Sequence, residues 1–136
     1  MMKQVMIPAV LTAMILALAG CNTSTMTMEP PTPEQTASSG AKVVQNLKAG
    51  NWGLFLFDSI PLFSGNPWRP NRGDYYFFEN RVEEKYMDIM MRNRAKRLKA
   101  DGVEDMKIQE RSTGFFSLWI IWRRSITATA VAVEKK

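Results

Sequence analysis

A single cysteine, Cys21, is the feature that most limits how this chain of 136 residues can fold. One thiol cannot form a disulfide within the chain, although small domains outside the cytoplasm often depend on such cross-links. The folded part must therefore be held together by the burial of apolar side chains. Aliphatic and aromatic residues are frequent after position 50, which fits this requirement.

The residues before the cysteine have the layout of a secretory signal peptide. One basic residue, Lys3, is followed by an uncharged apolar stretch over Val5–Ala19 and then by small residues. The alternative is an uncleaved membrane helix. However, the stretch has 15 residues, fewer than the ~20 that a spanning helix needs, and it contains Pro8. The pattern therefore predicts a signal peptide over residues 1–20, with cleavage directly before Cys21.

Four residues at the end of this segment, Leu18, Ala19, Gly20 and Cys21, resemble the lipobox of bacterial lipoproteins. The resemblance implies signal cleavage between Gly20 and Cys21, lipidation of Cys21 with acyl chains such as palmitate, and a membrane anchor through that lipid. In bacteria with two membranes, aspartate after the cysteine tends to retain such lipoproteins at the inner membrane. The residue here is Asn22. The expected location is therefore the cell envelope and, if the organism has two membranes, the periplasmic face of the outer membrane.

The segment after the cysteine has the composition of a linker. Residues 22–40 are rich in serine, threonine and proline and contain no aromatic residue. Such a segment buries too little apolar area to order itself. We therefore expect residues 21–40 to be a lipidated, disordered tether with a reach on the order of 25 Å. One small domain should follow over residues 41–136.

The pattern of that domain predicts an α+β fold. Trp52–Phe57 is a compact apolar run typical of a buried strand, and Asn80–Ala100 has apolar residues at helical spacing. Met106–Gln109 and Ser125–Val133 alternate between apolar and polar side chains, as half-exposed strands do. The order strand, helix, strand, strand predicts a small, mostly antiparallel sheet with one long helix packed on one face.

The chain lacks the residues that most enzymes use. It has no histidine, which removes the commonest general base and the commonest metal ligand. Its only cysteine is expected to carry lipid, so thiol catalysis and zinc binding through sulfur are also excluded. Nothing in the sequence fixes the acidic residues Asp58, Asp74 and Glu79 together. We expect a protein that is not an enzyme and that binds no cofactor or metal.

Most of the aromatic residues are expected to lie in the core, and the others give the best candidate for an interaction surface. Phe115–Trp122 contains adjacent apolar pairs, which point to opposite faces of a strand. One helix covers only one face, so a loop, a second copy of the domain or the membrane must shield the other. Basic residues follow directly. The candidate surface consists of Ile60, Phe63, Trp119, Trp122, Arg123 and Arg124.

Net charge and a second resemblance also bear on the expected function and partners. Removal of residues 1–20 leaves 17 basic against 13 acidic residues, and outside the cytoplasm such a chain meets lipid headgroups rather than nucleic acid. Leu56–Pro67 resembles a segment of small bacterial envelope lipoproteins, which implies no particular activity. We expect a non-enzymatic, membrane-anchored binding or envelope-maintenance module, with an envelope protein or a second copy as partner. The alternative is a module that binds the membrane surface through aromatic loops and basic groups.

Overall fold

The computed structural model describes residues 22–115 and 120–135. They form a mostly antiparallel sheet with one helix, so the α+β class predicted from the sequence is confirmed at this level. Along the chain the elements are β1 (Ser24–Glu29), β2 (Lys42–Leu56), β3 (Ile60–Gly65), β4 (Tyr75–Phe77), α1 (Glu84–Arg97), β5 (Gly102–Phe115) and β6 (Ile121–Glu134).

The long strand β2 organises the sheet. The strand order is β4-β3-β2-β6-β5, and every pair is antiparallel. One edge of β2 pairs with β6 over its whole length. The other edge is shared, because β1 pairs with residues 46–51 and β3 with residues 53–56. The strands β1 and β3 therefore lie end to end along the same edge.

One face of this sheet carries the core. Alternate residues of β2 and β6 are buried and lie opposite one another, as in the pairs Leu47–Ala130 and Ala49–Ala128. The small alanine side chains leave room for larger neighbours. Residues from α1 join the same cluster of buried side chains, and they are Met87, Met90, Met91 and Ala95. The strand predicted over Ser125–Val133 is thereby confirmed, since it lies inside β6.

The helix is shorter than the sequence pattern predicted. It spans Glu84–Arg97 rather than Asn80–Ala100. The side chain of Asn80 instead stabilises the turn before the helix, where its Oδ1 accepts a hydrogen bond from Val82 N at 3.0 Å and its Nδ2 donates to Glu83 Oε1 at 3.1 Å. An asparagine that caps a turn has the same spacing in the sequence as one that caps a helix.

The segment expected to be a disordered tether is part of the sheet, so that expectation is wrong for its first half. Ser24–Glu29 pairs with β2 along six residues, and Met26 reaches the core with only 7% of its surface exposed. The second half also contacts the sheet, because Ser38 N donates a hydrogen bond to Asp105 Oδ2 of β5 at 3.0 Å. The physical reason is that β2 has an open edge at residues 46–51, which β1 fills.

Candidate interaction surface

The face of the sheet opposite the core carries a row of aromatic rings. Trp52 alternates with the core residues of β2, and its ring centroid lies 5.6 Å from that of Phe63. The row continues through Tyr75 at 5.7 Å, Phe77 at 5.2 Å and Phe78 at 6.3 Å, each distance measured from the preceding ring. These edge-to-face and tilted contacts are favourable aromatic geometries. We call these five residues the aromatic surface.

Much of the aromatic surface is exposed. The side chains of Tyr75, Phe77 and Phe78 are 47%, 61% and 76% exposed. Two more apolar side chains are exposed at the turn that joins β2 to β3. Phe57, in the turn, is 60% exposed, and Ile60, directly after it, is 53% exposed. Large contiguous apolar areas are uncommon on proteins that act alone in water, and they mark sites of contact with a partner or a membrane.

The turn that contains Phe57 has a backbone conformation that is unfavourable for phenylalanine. Phe57 and Asp58 both have positive φ, 52° and 57°, and Ser59 N donates to Leu56 O at 3.1 Å. Positive φ at both central residues is the signature of a type I′ turn, which prefers asparagine and glycine. A phenylalanine is unfavourable at such a position, because its side chain strains a backbone with positive φ.

This turn gives a simple prediction. Phe57→Asn should raise the free energy of unfolding by about 0.5–1 kcal/mol, because asparagine tolerates positive φ. Chemical denaturation measures this effect, and a loss of stability in the variant would contradict the backbone strain assigned to this turn.

The chain enters the domain beside the aromatic surface. The indole Nε1 of Trp52 donates to Asn22 O at 3.3 Å, and the backbone N of Trp52 donates to Thr23 O at 3.0 Å. Thr23 is 2% exposed, and its Oγ1 donates to Asp74 O at 3.2 Å. A Cβ on Gly65 would lie 2.7 Å from Thr23 O, so glycine lets the end of β3 approach this segment. The position of residue 22 is thereby fixed relative to the aromatic surface.

Basic side chains share this face of the sheet. Lys48 of β2, Thr129 of β6 and Lys107 of β5 lie in one row across the sheet. Trp52, Ser125 and Arg111 lie in a second row on the same three strands. The guanidinium of Arg123 lies 4.6 Å above the ring of Trp52, a cation–π contact. Between these two rows, no carboxylate of β2, β5 or β6 lies on this face. All four cationic side chains are exposed, and they are Lys48, Lys107, Arg111 and Arg123.

The structure separates the residues that the sequence grouped into one candidate surface. Ile60, Phe63 and Arg123 lie on the face that carries the aromatic surface. Trp122 lies on the other face, where it packs against the core cluster. Arg124 also lies there, 5.0 Å above the ring of Phe55, with its Nε 3.8 Å from Asp58 Oδ1.

Several predicted positions lie outside the described residues. They are Trp119 and the lipobox residues Leu18, Ala19, Gly20 and Cys21. Tyr75, Phe77 and Phe78 are not among the surface residues predicted from the sequence. The run of aromatic residues over Tyr75–Phe78 indicates Tyr75 and Phe77, because alternate members of a strand share a face. Phe78 follows the end of β4 with a φ of 57°, so strand alternation does not predict its side.

The carboxylates of Asp58, Asp74 and Glu79 each have a different partner and form no common site. Asp58 accepts from Ser112 Oγ at 2.7 Å, Asp74 Oδ2 lies 3.8 Å from Arg69 Nη1, and Glu79 pairs with Arg81. In the part of the chain that the structure describes, no three metal-binding side chains are grouped. Over residues 22–115 and 120–135, no helix has the length and apolar character needed to cross a bilayer.

Comparison with known proteins gives no match: no family model, no curated protein and no solved structure is similar to this chain. The function must therefore be inferred from the geometry of the aromatic surface and from Asn22 and Thr23 beside it.

Proposed function

We propose that this chain is a non-enzymatic lipoprotein of the bacterial cell envelope, anchored through a lipid on Cys21 and held with its aromatic surface against the bilayer. In this arrangement α1 packs over the core face and the opposite face turns toward the membrane. The observation that carries the proposal is the contact between Trp52 Nε1 and Asn22 O, because it fixes the start of the folded chain at the aromatic surface.

The distance from the anchor to the domain is very short. One residue, Asn22, separates Cys21 from the buried Thr23. Two residues of extended chain span at most about 7 Å. A lipid on Cys21 would therefore keep the aromatic surface at the level of the lipid headgroups, whereas a long flexible tether would let the domain move away.

The chemistry of this face suits a membrane interface. Tryptophan and tyrosine favour the headgroup level, and the exposed rings of Phe77 and Phe78 supply apolar area for insertion. Each of the four cations on this face adds about 1 kcal/mol next to an anionic leaflet. The protein would act at the membrane surface, in binding or in maintenance of the envelope, and the periplasmic face of the outer membrane is the proposed location.

The experiment compares the unlipidated chain, residues 22–136, with variants in co-sedimentation with phosphatidylglycerol–phosphatidylethanolamine vesicles. Burial of each phenylalanine contributes about 1.5–3 kcal/mol, so Phe77→Ser/Phe78→Ser should lower the partition coefficient at least about tenfold. The matched control is Met28→Ser, which removes an exposed apolar side chain, 38% exposed, from the other face of the sheet. This control should leave binding unchanged.

Two results would contradict the proposal. The first is equal vesicle binding by the wild-type chain and the Phe77→Ser/Phe78→Ser variant. The second is a dimer in sedimentation velocity that the same substitutions dissociate, because a second copy would then cover the aromatic surface. Raised salt should weaken vesicle binding, since the cationic contribution is screened.

A further inference from the structure

A second feature of the molecule lies away from the aromatic surface, between α1 and the loop that follows β3. It is a cleft of about 350 Å³, within the range of ~300–1,000 Å³ that is common for small-molecule sites. Two arginines of the loop, Arg69 and Arg72, form one wall, and two arginines of the helix, Arg94 and Arg97, form the other. We call this the arginine cleft.

The fold holds the loop wall in place. Asn71 donates from Nδ2 to Met26 O at 2.7 Å and accepts at Oδ1 from Met26 N at 3.1 Å. Its backbone N also donates to Ser24 O at 2.8 Å. These three bonds dock the loop onto β1, and they fix the residues on either side of Asn71, which include Arg69 and Arg72. The cleft is therefore formed before any ligand arrives.

The helix wall presents two arginines on one side of α1. Arg94 and Arg97 are three residues apart, so they are neighbours on the helix surface. Basic residues in the last turn of a helix also interact favourably with its dipole. That interaction explains cations on the helix, but it does not explain why the loop places two more arginines across from them.

Three of the four guanidinium groups have no carboxylate partner. No carboxylate of the described residues lines the cleft. Arg69 Nη1 lies 3.8 Å from Asp74 Oδ2, while Arg72, Arg94 and Arg97 form no ion pair with any carboxylate of the described residues. The Nε of Arg94 donates only to the sulfur of Met28, at 3.0 Å, which is a weak acceptor.

We propose that the arginine cleft binds a phosphate group carried by a small molecule or a lipid headgroup. Guanidinium groups stay charged at every physiological pH and bind phosphate oxygens through paired hydrogen bonds. A bound phosphate would supply the countercharge that Arg72, Arg94 and Arg97 lack. The cleft has room for more than a bare phosphate, and Trp68, 40% exposed, also lines it, with the guanidinium of Arg81 4.7 Å from its ring centroid. This site does not depend on the lipid at Cys21.

The test uses the full-length chain in dodecyl maltoside and isothermal titration calorimetry with glycerol 3-phosphate at constant ionic strength. The cleft variant Arg72→Gln/Arg97→Gln removes one cation from each wall. The control variant Lys96→Gln/Lys99→Gln removes the same charge from exposed positions of α1 and its C-terminal end that do not line the cleft. Thermal melts establish that both variants are folded.

We expect saturable binding with one site per chain. The cleft variant should bind at least about tenfold more weakly, because hydrogen bonds to charged groups are lost, and the control variant less than about twofold more weakly. Competition by phosphatidylglycerol in mixed micelles would identify the ligand as a lipid headgroup, and its failure to compete would identify a free phosphorylated solute. Absence of saturable binding up to ~10 mM, or equal weakening in the two variants, would overturn the proposal.

Discussion

Cys21→Ala is expected to release the protein from membranes or to leave its signal peptide uncleaved. The lipid on Cys21 is the anchor in this account, and stable attachment requires more than one acyl chain. The aromatic surface and its four neighbouring cations would retain the variant only reversibly, so a high-salt wash should remove it.

Fractionation and mass spectrometry of the mature N-terminus measure this effect. Asn22→Ala is the matched control, because Asn22 contacts Trp52 through its backbone oxygen and that contact survives the substitution. The control should stay with the membrane and carry an acylated first residue. A wild-type chain that still begins at Met1, or that has an unmodified thiol at Cys21, would contradict the anchor.

Met26→Ala is expected to lower the free energy of unfolding by about 2–4 kcal/mol, because it truncates a buried side chain in the core cluster. Met28→Ala, two residues further along β1, should cost less than about 1 kcal/mol, since Met28 is 38% exposed. Such a difference is a large share of the 5–15 kcal/mol that stabilises a typical domain.

Urea denaturation of residues 22–136 and of the two variants measures these changes in the free energy of unfolding. The measurement distinguishes a strand from a tether, because substitutions in a disordered tether would leave stability unchanged at both positions. Equal midpoints for Met26→Ala, Met28→Ala and the unsubstituted chain would therefore contradict the role of β1.

The strands whose side chains alternate were predictable from the sequence. Ser125–Val133 places apolar residues at every second position, and that period alone specifies a half-buried strand. β1 was not predictable in this way. Its sequence Ser-Thr-Met-Thr-Met-Glu also alternates, but the surrounding serine, threonine and proline residues obscured the pattern. Only the open edge of β2, a tertiary feature, makes that segment a strand.

The candidate surface was partly predictable for a related reason. Trp122 and Arg124 are two residues apart and must share a face, whereas Arg123 must lie on the opposite one. The sequence cannot say which of these faces is the core until the register with β2 is known. The arginine cleft was not predictable from the sequence, because its walls come from two separate segments. They are brought together by tertiary contacts, such as the docking of Asn71 on β1 and the packing of Trp68 against Tyr86.

We expect the aromatic surface to lie against the bilayer when the protein is anchored by its lipid. Because the sulfur of the only cysteine, Cys21, carries the lipid in the proposed anchor, an introduced cysteine provides the single free thiol for a spin label. Phe78→Cys places the label on the aromatic surface, and Arg92→Cys places it on exposed α1 as the matched control.

Electron paramagnetic resonance of the lipidated protein in vesicles then measures the collision of each label with oxygen and with a water-soluble nickel chelate. The label at position 78 should collide more with oxygen and far less with nickel than the label at position 92, as expected for a group ~5–10 Å deep in the interface. Equal access of the nickel chelate to both labels would contradict it.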